Sequence, residues 1–214
     1  MNVALTGATG FIGSHILAEL QKHGHDVTAL VRDDAQAQIV ADRGATPKVV
    51  DLYDRSAVAS LLDSADGAVH TASPGDATSA DLDSAVVDAV INTFAGTGKP
   101  YIHISGMWVY GNNTSISEQS PFNAPALVSW KQAIERRVLE ATGTRGVVIV
   151  SGVAYGDGGG GIPGLLLRSP PRRCRQPDHD RYGPTALADS PRCRLGGFLP
   201  ARAGLVATTS SAMV

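Results

Sequence analysis

Apolar positions along this chain follow two alternating rhythms. Short apolar-rich runs stand at Val3 to Leu5, Asp26 to Arg32, Pro47 to Asp51, Gly67 to Ala72, Tyr101 to Ser105 and Gly146 to Val150. Their length and bounding turn residues predict strands. Between them apolar residues return every three or four positions, which predicts helices. Ile12, Ile16, Leu17 and Leu20 share one face of the first, which Gly24 stops. A short helix runs from Asp34 to Arg43 and ends at Gly44, and Asp54 caps another through Leu62. Leu82, Val86, Val90, Ile91 and Phe94 mark a long helix, and Pro125 to Thr142 another with Trp130, Ile134 and Val138 inward.

Repeated strand–helix units with short apolar strands imply a parallel sheet covered on both faces. The expected fold class is therefore α/β, a doubly wound Rossmann-type sheet over residues 1–167, with its ligand at the carboxyl ends of the strands. The pattern stops at residue 168. From Arg168 onward there are eight arginines, six prolines and both cysteines, with no lysine, glutamate or isoleucine. Prolines at this frequency interrupt helices and central strands alike. Residues 168–214 are thus expected to form an aberrant or truncated C-terminal region, poorly ordered or loosely attached. An ordinary basic, proline-rich tail and a segment translated out of frame are both open readings of it.

The chain has 214 residues, enough for one α/β domain with a real core. A net charge of −2 argues against nucleic acid or an anionic membrane as partner. No apolar run approaches membrane-spanning length and no signal-peptide pattern precedes Val3, so the expectation is a soluble, cytoplasmic protein. Cys174 and Cys193 fit no metal spacing, and no metal is expected. His15, His23, His25, His70 and His103 are scattered without a carboxylate at ligand spacing and read as structural. The expected partner is a small-molecule substrate, with a homodimer left open.

The first strand runs into Thr6-Gly7-Ala8-Thr9-Gly10-Phe11-Ile12-Gly13 and then into the first helix. Strand, glycine turn and helix in that order make an anion site, because unpaired N–H groups and the helix dipole favour a diphosphate there. Gly7 allows the tight turn, Gly10 lets phosphate approach the backbone, and Gly13 lets the helix pack closely on the strand. The spacing is G-x-x-G-x-x-G. Val31 ends the second strand where an acidic residue would select NAD, and Arg32 follows it. A guanidinium pairs a ribose 2′-phosphate, so the expected cofactor is NADP, with NAD as the alternative.

Over roughly residues 1–167 these segments resemble the extended and atypical short-chain dehydrogenases/reductases, including NAD(P)-dependent epimerase/dehydratases. Ser105-Gly106-Met107-Trp108-Val109-Tyr110-Gly111 is similar to the segment after that family's fifth strand, and Gly152-Val153-Ala154-Tyr155-Gly156 to the loop after its sixth. The resemblance implies that Gly7, Thr9, Gly10, Phe11, Ile12 and Gly13 hold the cofactor's diphosphate. It also implies that Asp51 and Leu52 flank the adenine and that Thr71, Ala72 and Ser73 line the middle.

The family's Tyr-x-x-x-Lys helix stacks tyrosine and lysine on one face. Lys131 fits the lysine, and by resemblance holds the nicotinamide ribose; four residues earlier stands Leu127, which cannot transfer a proton. The family's hydroxyl position, three before Val109, is Gly106, with Ser105 beside it. Lys131, Ser105 and Tyr110 are the catalytic candidates, Tyr110 as a substitute acid or as packing beneath its loop. Asp157 and Gly158 to Gly161 read as a mobile loop, closing over the nicotinamide end or forming a plain turn. The expected activity is that of an NADP-dependent oxidoreductase or epimerase-like enzyme acting on a carbonyl or sugar-nucleotide-like small molecule. A non-catalytic NAD(P)-binding sensor and an inactive truncated family member are the alternatives.

Overall fold

The computed structural model describes residues 1–157, 159–160 and 207–209. Six parallel strands, β1 (Asn2–Thr6), β2 (Asp26–Val31), β3 (Thr46–Val49), β4 (Gly67–His70), β5 (Pro100–Gly106) and β6 (Arg145–Ser151), lie in the order β3-β2-β1-β4-β5-β6. This is the doubly wound order, reversing direction beside β1. Helices α1 (Phe11–Lys22), α2 (Asp34–Asp42), α3 (Arg55–Leu62), α4 (Ser79–Phe94) and α5 (Lys131–Leu139) make the crossovers. The expected fold class is the observed one.

Alternate strand residues sort onto two cores. Val3, Leu5, Ala29, Val31 and Val69 face α1 and α2 through Leu17 and Val40. Ala4, Leu30 and Ala68 face α3, α4 and α5 through Val58, Leu62, Val86, Val90, Phe94, Ile134 and Val138. Period-two alternation on β1, β2 and β4 therefore feeds both layers at once. Each fully buried side chain of the size of Leu5, Leu17 or Phe94 contributes on the order of 1.5–3 kcal/mol.

Local boundaries moved where side chains claimed backbone groups. The expected helix over Pro125 to Thr142 is a 3-10 turn, Ala126–Val128, followed by α5 from Lys131 to Leu139. Ser129 Oγ donates to the Ala126 carbonyl and Trp130 Nε1 to that of Leu127, both at three-residue spacing that suits the tighter turn. Strand β4 stops at His70, not Ala72, because the N–H groups of Thr71 and Ala72 turn onto Thr6 Oγ1 at 3.2 and 3.4 Å. Asp54 does cap α3, accepting from Ser56 N and Ala57 N. Asp33 caps α2, accepting from Gln36 N at 2.8 Å.

The chain divides into two compact units, the second beginning at Val153. In it β7 (Tyr155–Gly156) pairs antiparallel with β8 (Gly159–Gly160) around Asp157, whose φ is 45°. The segment read as a mobile loop is thus a tight hairpin where it is described; Gly158 and Gly161 lie outside the described residues. So does the tail expected to be aberrant, except Ala207–Thr209 (β9), which pairs antiparallel with β6. Among the described residues no helix is long and apolar enough to cross a membrane.

Candidate cofactor and active site

The turn between β1 and α1 is built by glycine. Gly7 has φ +72°, and a Cβ there would sit 2.7 Å from the Ala72 nitrogen. Gly10 N donates to the Gly7 carbonyl at 2.9 Å, closing the turn, and Gly10 then enters the helix in extended conformation. A Cβ on Gly13 would overlap the Gly7 carbonyl oxygen and lie 2.8 Å from Thr71 Oγ1. Gly13 therefore serves close packing of α1 on the turn itself and on the segment after β4, rather than on the body of a strand. Among the described residues no side chain caps α1, and its first turn carries no acidic residue. Its leading N–H groups, from Phe11, Ile12 and Gly13, have no partner within the helix. With Thr9 half-buried and Gly10 exposed, the turn offers a cradle of amides that fits a diphosphate.

Beside this cradle, Arg32 follows β2 directly, its side chain 80% exposed, with Nε 3.3 Å from Asp33 Oδ2. Arg43, at the end of α2, reaches back so that Nη1 lies 3.5 Å from the Ala8 carbonyl within the turn. Two guanidinium groups thus flank the end of β2 and the turn. Val50 N donates to the Val31 carbonyl at 2.9 Å, setting the residues after β3 beside Arg32. Asp51 is exposed and accepts from Tyr53 N at 3.0 Å, while Leu52 packs partly against the core.

After β4, Thr71 Oγ1 donates to the Thr6 carbonyl at 2.8 Å, fixing that segment against the turn. Ala72 is half-buried and Ser73 exposed. The two histidines on β4 and β5 are not isolated, contrary to the sequence reading. His70 Nε2 is 3.2 Å from Asp83 Oδ1, and His103 Nε2 is 3.6 Å from Asp83 Oδ2. Asp83 is only 4% exposed, and Lys131 Nζ approaches the same Oδ2 at 3.4 Å. Burial alone would raise the Asp83 pKa, but the His70 hydrogen bond and the electrostatic pull of the neighbouring histidines and Lys131 bring it below the usual carboxylate range. His103 is held neutral chiefly by burial, its pKa lowered to about 3 despite the pull of Asp83.

Lys131 opens α5, its ammonium also lying 4.5 Å from the centre of the Trp130 ring. One helical turn on, buried Glu135 accepts from Ser105 Oγ at 2.5 Å. Burial raises the Glu135 pKa and Asp83 adds to this, against the Ser105 hydrogen bond and Lys131. Ser105 is thus held by Glu135 and Lys131 by Asp83, two different buried carboxylates. Tyr110 is buried against Phe122, ring centres 5.8 Å apart; burial and the charges of Glu135 and Glu118 raise its pKa. Leu127 is 73% exposed on the 3-10 turn.

Comparison with known proteins fits this geometry. A family model described as NAD(P)H-binding matches residues 7–162. The chain belongs to that NAD(P)H-binding family. An uncharacterized protein of Schizosaccharomyces pombe is 35% identical over 126 residues, 55% of this chain and 43% of that one. The bifunctional dihydroflavonol 4-reductase/flavanone 4-reductase of Pyrus communis is 33% identical over 99 residues, 42% of this chain and 28% of that one. The match therefore spans less than half the length of these curated relatives. Among solved structures, the Bordetella bronchiseptica enzyme WbmH in complex with NAD+ superposes with a TM-score of 0.59 at 21% identity, covering 78% of this chain and 61% of that one. The UDP-Glc/GlcNAc 4-epimerase of Campylobacter jejuni gives 0.57 at 23%, covering 65% and 48%. These share the fold.

Two residues of this NAD(P)H-binding chain escaped the sequence reading: Arg43 and Asp83. Asp83 had a usable signal, since it stands two positions from Ala85 and three from Val86 on the buried stripe of α4. A carboxylate on an apolar helix face needs partners to be buried there.

Proposed function

We propose that the chain is an NADP-dependent oxidoreductase or epimerase-like enzyme of the short-chain dehydrogenase/reductase type, acting on a carbonyl or sugar-nucleotide-like small molecule in the cytoplasm. One observation carries the reading: an uncapped glycine turn at the start of α1 with Arg32 and Arg43 converging on its flank. In this reading the amides of Gly7 to Gly13 hold the diphosphate and Arg32 pairs the 2′-phosphate. Asp51 and Leu52 flank the adenine, and Thr71, Ala72 and Ser73 line the middle. Lys131 holds the nicotinamide ribose, and Ser105 and Tyr110 are the candidate proton-carrying groups. The coenzyme, when bound, supplies hydride transfer at its nicotinamide ring.

Fluorescence titration with NADPH and NADH tests this. NADPH is expected to bind tighter, and Arg32→Ala to weaken NADPH about fivefold, a value reduced for the exposure of the arginine, while leaving NADH unchanged. Equal affinities in the wild-type chain that Arg32→Ala does not alter would remove the NADP assignment. Unaltered binding by Gly10→Asp would remove the turn as the diphosphate site. A second reading, binding without turnover, is favoured by exposed Leu127 and by Gly106 at the usual tyrosine and hydroxyl positions; NADPH binding with no oxidation across a broad carbonyl panel would select it.

A further inference from the structure

A buried chain of hydrogen bonds runs from the glycine turn to Lys131, and its direction follows from counting donors. Thr6 Oγ1 accepts from the N–H groups of Thr71 and Ala72, which occupy its two lone pairs. Its own proton is therefore free only for His70 Nδ1, 2.7 Å away. With Nδ1 accepting, His70 must carry its proton on Nε2 and donate it to Asp83 Oδ1. The other carboxylate oxygen faces Lys131 Nζ. His103 repeats the arrangement: the Tyr101 hydroxyl lies 3.3 Å from Nδ1, and Nε2 faces Asp83 Oδ2 without a closer partner. His70 and Lys131 thus both direct N–H groups at Asp83, from β4 and α5, while Glu135 on α5 is engaged with Ser105 instead.

We infer that Asp83 is the positioning residue for Lys131, and that Thr6 and His70 tie the lysine to the diphosphate turn through it. The inference rests on the coenzyme reading above, in which Lys131 serves the nicotinamide ribose. With Leu127 in place of a tyrosine, the lysine has no phenol beside it to set its place. The carboxylate on α4 takes over that task, and the strand ends that shape the turn fix the carboxylate in turn. Thr6, at the end of β1, belongs to both structures: its carbonyl receives Thr71 and its hydroxyl starts the chain.

The test separates the two ends of the coenzyme. NADPH and the fragment adenosine 2′,5′-bisphosphate, which lacks the nicotinamide riboside, are titrated by calorimetry into the wild-type chain, Asp83→Asn, Lys131→Met, Thr6→Val and the Asp83→Asn/Lys131→Met double variant. Asp83→Asn retains an acceptor for His70 and is the conservative choice; thermal melting monitors folding throughout. NADPH affinity is expected to fall about tenfold in Asp83→Asn and in Lys131→Met, the size of one charge-assisted hydrogen bond. The double variant should fall no further, and fragment affinity should change less than about twofold. In parallel, nitrogen NMR of the coenzyme-free wild-type chain should show His70 protonated at Nε2 and bare at Nδ1. Parallel loss of both ligands, additive losses in the double variant, or His70 protonated at Nδ1 would each overturn the inference. A wild-type chain that binds neither ligand would overturn the coenzyme reading itself, before any variant is compared.

Discussion

Replacing Gly13 by alanine should destabilise this chain, although the same exchange within a helix ordinarily stabilises. The propensity term favours alanine by at most about 1 kcal/mol. Against it stands geometry. The new methyl would overlap the Gly7 carbonyl oxygen, lie 2.7 Å from the Gly7 carbonyl carbon and 2.8 Å from Thr71 Oγ1. Two of those atoms are backbone of a turn closed by the Gly10-to-Gly7 hydrogen bond, and Thr71 is itself tied to Thr6. None can yield as a flexible side chain would, so the overpacking cost belongs at the upper end of about 1–3 kcal/mol. The net expectation is a loss of about 1–2 kcal/mol, or about 2–8 °C in Tm for a chain of this length. Because the displaced group is the turn itself, NADPH affinity should fall with it, by about tenfold or more. Differential scanning calorimetry and fluorescence titration measure the two effects. Gly24→Ala is the control: unlike helical Gly13, Gly24 has a positive φ of +77°, but nothing lies within 4 Å of the added carbon. It should lose about 1 kcal/mol from the left-handed backbone alone and bind NADPH as the wild type does. Gly13→Ala melting at or above wild type, with unchanged NADPH affinity, would refute the reasoning.

Two further outcomes follow from caps and buried charge. Asp54→Ala should cost about 1 kcal/mol, since the carboxylate accepts two of the orphan N–H groups of α3, whereas Asp54→Asn should cost much less; urea denaturation compares them. His103, neutral in the fold with a pKa of about 3, is protonated in the unfolded chain below its ordinary 6.5. The unfolded state therefore binds more protons between those values, and stability should fall as pH drops through that window, by up to about 1.4 kcal/mol per unit. His103→Phe should flatten that slope between pH 6 and 4 in urea melts at stepped pH. Asp83 does not confuse the reading, because its lowered pKa removes stability only once pH falls below its unfolded value of 3.8.

The two packed layers were legible in the amino-acid pattern because the signals that build them are local. Alternation such as Val3, Ala4, Leu5 and the four-residue spacing of Leu82, Val86 and Val90 are signals of this kind, and both cores grew from them as expected. The glycine turn could be read for the same reason: its three glycines lie within seven residues, and strand and helix flank them. Failures came where a local rule met a competing side chain. Pro125 to Val128 has the composition of a helix start, but Ser129 and Trp130 take carbonyls at the wrong spacing for one. The buried carboxylates were illegible because their partners are remote. Asp83 meets His70 across 13 positions and Lys131 across 48, and Ser105 meets Glu135 across 30. No periodicity encodes which strand end faces which helix; that follows only from the order β1-β4-β5 and the packing of α4 and α5 over it.

Those two carboxylates explain how the chain keeps titratable chemistry on α5 without a tyrosine at 127. Both are buried, and burial raises both pKa values. For Asp83 the His70 hydrogen bond and the pull of Lys131 and the neighbouring histidines outweigh burial, so it is the carboxylate that stays ionised. For Glu135 a single hydroxyl donor and the shared Lys131 do not, and the negative charge of Asp83 pushes in the same direction as burial. A single ammonium cannot neutralise two carboxylates in a low-dielectric interior, and Lys131 pairs with Asp83. It commits to the one with the better hydrogen-bonded frame, and the other takes up a proton more readily. The ionised group is the one wired to the turn, and the readily protonated group is the one that holds Ser105. The two carboxylates differ in role because of what donates to them, not because of how deeply they lie.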